Sequence, residues 1–264
     1  MKANFSFKRY QMLLTKELKE RNTMILKLAG ILSLIIIGIW LTSILITGGE
    51  EVSTFFRFSM MSTLLVVSMI IAPFNLYKNY NHPKKGIDYA LLPASVCEKY
   101  LSMLTIVVII TPLAMILSLV ATDVFLSLIT PSVFPGFAIN AKNLGMIDIS
   151  SIYEILILQW GFIFGNFLFK KSKVTKSIFA AIGIYLVLGL LLASTVKFVY
   201  AEEINQMASF SVQINSLDDL LNNHTLKEVP AMRLVMYIIY AVSYVIIPVG
   251  SLSGTFLKMK NQQY

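Results

Sequence analysis

Residues 26–75 read LKLAGILSLIIIGIWLTSILITGGEEVSTFFRFSMMSTLLVVSMIIAPFN. Two apolar blocks, about 26–47 and about 52–75, are separated only by Gly48-Gly49-Glu50-Glu51. Each is long enough to carry a helix across a bilayer, which takes about 20 apolar residues for a hydrocarbon core of about 30 Å. So short a connection places the two helices side by side and antiparallel. The stretch is a membrane hairpin.

Four further apolar blocks extend the pattern. The third runs about 100–129 and is interrupted by Pro112 and Asp123. The fourth, about 152–169, is the shortest and carries Gln159, Trp160 and Asn166. The fifth runs about 177–199, and the sixth about 232–257 with Pro248 inside it. Composition agrees: 56% of residues are hydrophobic and only 14% charged, where soluble domains carry about a quarter. The expected fold is an all-α polytopic membrane protein, a single transmembrane domain over 1–264 with six transmembrane helices. No internal repeat or soluble-domain boundary interrupts it.

Ahead of the first span, Phe7, Tyr10, Leu13, Leu14 and Leu18 recur at helical spacing, with Lys8, Arg9, Lys16, Lys19 and Arg21 around them. This pattern predicts an amphipathic interfacial helix over 5–24, its apolar face in the acyl boundary. The alternative is a solvated leader whose charges only orient the first span. No small-residue cleavage pattern follows the first block, so that span is expected to stay in place.

Charge sets the orientation. With the N-terminus inside, the inner segments hold 17 of the 22 Lys and Arg residues, but only Glu17, Glu20, Asp88 and Glu98 of the 14 acids. The Lys/Arg bias is what orients a membrane protein, so both termini and residues 76–99 are expected to be cytoplasmic. The net charge of +8 is explained by this bias and not by a nucleic-acid surface. Two outer segments, 130–151 and 200–231, are too long for simple turns, and the second has enough Ile, Leu and Phe for short outer helices before the last span.

The inventory for chemistry is sparse. There is one cysteine, Cys97, and the two histidines, His82 and His224, fall on opposite sides of the expected bilayer. No phosphate-binding G-x-x-x-x-G-K-[ST] loop and no H-E-x-x-H motif occurs, so nothing calls for a metal, a cofactor or a catalytic residue on this chain. Arg57, Asp123, Glu154 and Lys197 lie within about two turns of the outer ends, placed either to pair or snorkel near the interface or to line an exit vestibule. Gly161/Gly165 and Gly250/Gly254 are small-x-x-x-small pairs that would let helices approach closely, or simply glycines in spans where glycine is common. Pro112 and Pro248 predict kinks.

Residues 76–99 form the most specific feature. Lys78, Lys84 and Lys85 make a cationic cluster, and Ile87, Tyr89, Leu91 and Leu92 an apolar patch outside any span. Such a surface suits docking, unless the patch folds back on the bilayer. Ser95-x-x-Glu98 is a capping box that starts the helix leading into the third span.

The run LLPASVCEKYLS (residues 91–102) resembles the LP-[AV]-S-x-x-EK-[FY]-L signature of permeases in the type-2 ABC exporter family, particularly those of Bacteroidetes-like bacteria. The resemblance extends to the plan of basic leader, six spans, inner loop and longer outer segment. It implies that residues about 77–98 act as a coupling loop on a separate ABC ATPase subunit, with Lys78, Lys84, Lys85, Leu91, Leu92, Ser95 and Glu98 as ATPase-coupling residues. It also implies short re-entrant helices over about 202–229, a second permease copy as partner, and a bacterial cytoplasmic (inner) membrane location. The chain itself would hydrolyse no ATP. The rivals are a non-transporting scaffold or sensor subunit and, further off, a membrane-embedded enzyme acting on lipid.

Overall fold

The computed structural model describes residues 5–46, 48–80, 91–199 and 230–261. Six of its helices are long and apolar enough to cross a membrane, so the chain is an all-α, multi-pass membrane protein.

Helix α1 runs Phe7–Ile46, 40 residues without a break. The leader expected over 5–24 and the span expected over 26–47 are therefore one element. Residues 21–26, RNTMIL, change from charged to apolar but contain no Pro or Gly, and a change of polarity does not stop a helix. At 1.5 Å per residue α1 is about 60 Å long, roughly twice the hydrocarbon thickness. Gly48 and Gly49, with φ of 71° and 88°, supply the left-handed backbone that reverses the chain. Ser53 then caps α2 (Thr54–Leu76) by accepting from the Phe56 N–H.

The third span joins α3 (Val96–Leu104), a π-helical turn (Thr105–Ile110) and α4 (Thr111–Ile129). The last span joins α8 (Pro230–Ala241), a second π turn (Val242–Ile246) and α9 (Ile247–Asn261). The irregularities expected at Pro112 and Pro248 thus take the form of a wide turn just ahead of each proline. A proline ring collides with the carbonyl four residues back, and a π turn moves that carbonyl aside. In the third span the Thr111 N–H reaches the Ile106 carbonyl, and the Thr111 Oγ1 donates to the same oxygen at 2.7 Å.

Between these lie the short α5 (Ala141–Leu144), α6 (Ile149–Leu168) and α7 (Lys173–Val199). The polar residues of α6 bond carbonyls of neighbouring helices, among them carbonyls that a proline leaves short of a donor. Gln159 Nε2 donates to Val107 O at 3.0 Å and to Met69 O, four residues before Pro73, at 3.5 Å, and Asn166 Nδ2 joins the Tyr77 N–H on Pro73 O at 3.0 Å. Tyr153 Oη donates at 2.8 Å to Tyr244 O, the carbonyl that Pro248 cannot reach. Broken backbone inside a membrane is tolerated when neighbouring helices satisfy it in this way.

The most extensive pairings are α1 with α4 and α6 with α9. Ser33, Ser118 and Thr122 tie the first pair, with Ser33 Oγ 2.6 Å from Ser118 Oγ and 2.8 Å from Thr122 Oγ1. Such small hydroxyl residues let membrane helices approach and bond. Helix α2 packs on α6 and joins the two halves. Helix α7 is peripheral: 6% of its most apolar stretch is buried, against 39% for α6.

The first turns of α1, residues 76–80 and 91–95, and the end of α9 gather at one end of the bundle, here the basic end. Residues 48–53 and 130–148 form the opposite, acidic end. The short outer helices expected within 200–231 lie outside the described residues.

Candidate functional site

At the basic end the capping box forms as the spacing predicts. Ser95 Oγ accepts from the Glu98 N–H at 3.2 Å, and Glu98 Oε2 accepts from the Ser95 N–H at 2.8 Å. The other carboxylate oxygen does something the sequence does not announce. Glu98 Oε1 accepts from the Ser6 N–H at 2.6 Å and from Arg9 Nη2 at 3.0 Å and Nε at 3.2 Å. Ser6 immediately precedes α1, so one fully buried carboxylate stands at the N-termini of two helices 90 residues apart. Both ends present unpaired N–H groups and positive dipole, which favour an anion there. Tyr10 adds a second tie, its Oη 2.8 Å from Thr105 Oγ1 in the π turn.

Two turns along α1, a second buried group faces the end of α2. Tyr77 Oη donates to Glu17 Oε2 at 2.6 Å, and the Arg21 guanidinium lies 3.7 Å above the Tyr77 ring and bonds the Leu76 carbonyl. Burial raises the Tyr77 phenol pKa well above its ordinary value, and the Glu17 charge raises it further. Lys99 is 1% exposed, with Glu17 close enough for their opposite charges to interact. Residues Glu98 and Lys99, adjacent in α3, thus face Arg9 and Glu17 of α1 with opposite signs. Nearby, Lys173 Nζ bonds the Lys78 carbonyl at 3.0 Å and Asn166 Oδ1 at 3.1 Å, tying the α6–α7 turn to residue 78.

The residues expected to act together divide as follows. Ser95 and Glu98 form the buried junction. Lys78 is exposed and Leu91 is 76% exposed, an apolar side chain left on the surface. Leu92 is half-buried and, with Lys16, Arg21, Lys78 and Tyr80, lines a cleft of mixed polarity of about 300 Å³ between α1 and the 75–80 turn. Lys84 and Lys85 lie outside the described residues.

The glycines split. A Cβ on Gly254 would stand 2.6 Å from Phe164 Cε2, and one on Gly165 would strike Ser177, whereas Gly161 and Gly250 have open space. One glycine of each pair therefore permits close packing and the other does not need to.

Arg9, Glu17, Arg21, Tyr77 and Lys99 are members of the site that composition and motif do not pick out. Glu17 carried a signal: it falls four residues after Leu13 and three after Leu14, on the apolar face of the leader, where an acid has to find a partner.

At the acidic end Arg57 and Asp123 pair, buried to 2% and 3% side-chain exposure, with Nη1 2.6 Å from Oδ1. Arg57 also donates to Ser127 Oγ at 3.0 Å and to the carbonyls of Pro135 and Gly136 at 2.8 and 2.9 Å. Asp123 Oδ2 accepts from the Ala138 N–H at 2.9 Å, and Phe134 lies 4.5 Å beneath the guanidinium. The pair holds the 131–138 loop down over the helix ends and lines no open vestibule.

No family model matches the chain, and no curated protein or solved structure matches it either.

Proposed function

We propose that this chain is the permease subunit of an ABC exporter, moving its substrate outward when a separate ATPase subunit binds and hydrolyses ATP. The observation that carries the reading is the Glu98 junction. It clamps the start of α1 to the start of the third span, just where the sequence resembles the coupling segment of type-2 exporters. A force applied at residues 77–98 is passed through Glu98 to α1 and, through α3, into the span that follows. Lys78 and the outward Leu91 offer a mixed basic and apolar surface to the partner.

In this reading the basic end is cytoplasmic, as the Lys/Arg bias requires, and the membrane is the bacterial inner membrane. Two permease copies stand over two ATPase subunits. Nucleotide binding drives transport only if the closed ATPase favours one arrangement of the spans over the other. The leader is part of the lever, because α1 has no break between Phe7 and Ile46.

Affinity purification of the tagged, detergent-solubilised chain tests the proposal. An ATPase carrying a phosphate-binding loop is expected to come with it. The yield should drop in a Lys84→Glu/Lys85→Glu variant and in a Leu91→Ala/Leu92→Ala variant. Recovery of the chain without any ATPase overturns the reading, and unchanged recovery in both variants removes residues 84–92 from the contact.

A further inference from the structure

Glu154 sits in the sixth position of α6, about one and a half turns inside a membrane-spanning helix, and it is exposed. An ionisable group at that depth is costly unless it meets a partner. Among the described residues no cation pairs with it. Its hydrogen-bond partner is Tyr244 Oη, which donates to Oε1 at 2.5 Å. The surroundings are aromatic. Tyr240 and Tyr244 stack at 4.5 Å and 15°, Tyr153 stacks on Tyr244 at 5.8 Å and 26°, and Trp160 stands edge-on to Tyr153 at 6.4 Å. A carboxylate beside electron-rich ring faces attracts an organic cation.

The same face of α6 continues into a cavity. Leu158 and Gly161 follow Glu154 at four and seven residues, the spacing that keeps side chains on one side of a helix. With Ala181 and Tyr185 of α7 and Ile247 and Ser251 of α9 they line an almost wholly apolar space of about 210 Å³. Gly161 faces that open space, since a Cβ there would meet nothing within 4 Å. Tyr185 belongs to this wall and also feels the Glu154 charge, so the cavity and the carboxylate adjoin. The π turn contributes as well: it presents Tyr244 toward Glu154, while Tyr153 holds the carbonyl behind it.

We propose that the groove between α6, α7 and α9 binds an amphipathic organic cation, its apolar body in the cavity and its charged head against Glu154 and the tyrosines. Charge complementarity selects this occupant over a neutral acyl chain, which would leave the carboxylate unmatched. The thinly packed α7 gives it a lateral route from the lipid. This site stands whether or not an ATPase drives the chain.

Equilibrium binding to the full chain in phosphatidylcholine nanodiscs, without any ATPase, tests it. The probes are radiolabelled tetraphenylphosphonium and its anionic isostere tetraphenylborate, which share a shape and differ in charge. Saturable binding of the cation alone is expected, weakened about tenfold or more in Glu154→Gln and several-fold in Tyr240→Leu. Gly161→Leu should abolish binding by filling the cavity while leaving Glu154 in place. Equal affinity for the borate overturns the proposal, as does wild-type affinity in Glu154→Gln or Gly161→Leu. Should a variant fail to elute as folded protein, the cation-to-anion comparison on the wild type still decides. Failure here leaves the ATPase reading intact, since no ATPase is present.

Discussion

Each end of the bundle pairs an arginine with a buried carboxylate, and the two ends use the pair differently. At the acidic end Arg57 is answered by one acid, one hydroxyl and two carbonyls of the loop that follows the same span as that acid. The result closes a loop over helix ends. At the basic end Glu98 gathers an N–H from its own cap, an N–H from the start of α1, and Arg9. The result joins two helices far apart in sequence. One arrangement is a lid fastening; the other is a joint between elements, with Arg9 still 38% exposed. The difference teaches that pairing an arginine with a buried acid does not define its role, whereas what the pair ties together, a loop to helix ends or one helix start to another, does.

The strongest way to break the comparison is Asp123→Ala, which leaves the Arg57 guanidinium buried without its acid. It should cost about 3–5 kcal/mol in detergent unfolding, while Arg57→Met with Asp123→Leu should recover most of the loss. A single-mutant cost under about 1 kcal/mol would mean that the pair is not shielded from water.

Glu98→Ala comes next. It removes the α3 cap and leaves the Ser6 N–H and Arg9 without their acceptor, an expected loss of about 2–3 kcal/mol. Ser95→Ala removes only the cap hydroxyl and should cost about 1 kcal/mol. Equal effects of the two variants would reduce the junction to an ordinary capping box.

Gly254→Ala should cost about 1–2 kcal/mol, because Phe164 has to move. Gly250→Ala, into open space, should be neutral or slightly stabilising through helix propensity. Thermal unfolding of the two variants side by side checks this.

The smallest effect belongs to Asp148, which caps α6 at the acidic end. Bonds from the Ser150 hydroxyl and the Ile149 N–H hold its pKa below the ordinary value of 3.8. A depressed carboxylate contributes stability that is present above its unfolded value and lost as pH falls through the folded one. The wild type should therefore lose slightly more stability than Asp148→Asn as pH is lowered from 5 toward about 2, and identical profiles would remove the cap's contribution.

The spans and the Ser95–Glu98 box were legible because each is written within a few neighbouring residues. Helical apolar runs and S-x-x-E spacing are local codes. The Arg57–Asp123 pair was half-legible: both residues stood out as charges inside spans, but the 66 residues between them hide which of the two suggested roles applies. Arg9 with Glu98 was not legible, since Arg9 reads as one more member of a basic face. The continuity of leader and span was not legible, because helices end at caps and breakers, not where polarity changes. Gln159 and Asn166 stood out as polar residues in the shortest span, but their purpose depends on prolines in other helices.

The π turn at Val242–Ile246 fixes more than the local backbone. It holds one residue more than an α-helical path would need, and each helical residue carries about 100° of rotation. Losing a single residue there would return the turn to α geometry and leave the rest of the last span facing as it does, because the wide turn already absorbs that rotation. Gly254 would stay against Phe164, whereas Tyr244, inside the turn, would be re-aimed relative to Glu154. The surplus residue therefore serves the aim of Tyr244 and not the facing of the last helix, and a one-residue deletion in the turn should cost the Glu154 contact while sparing the packing of α9.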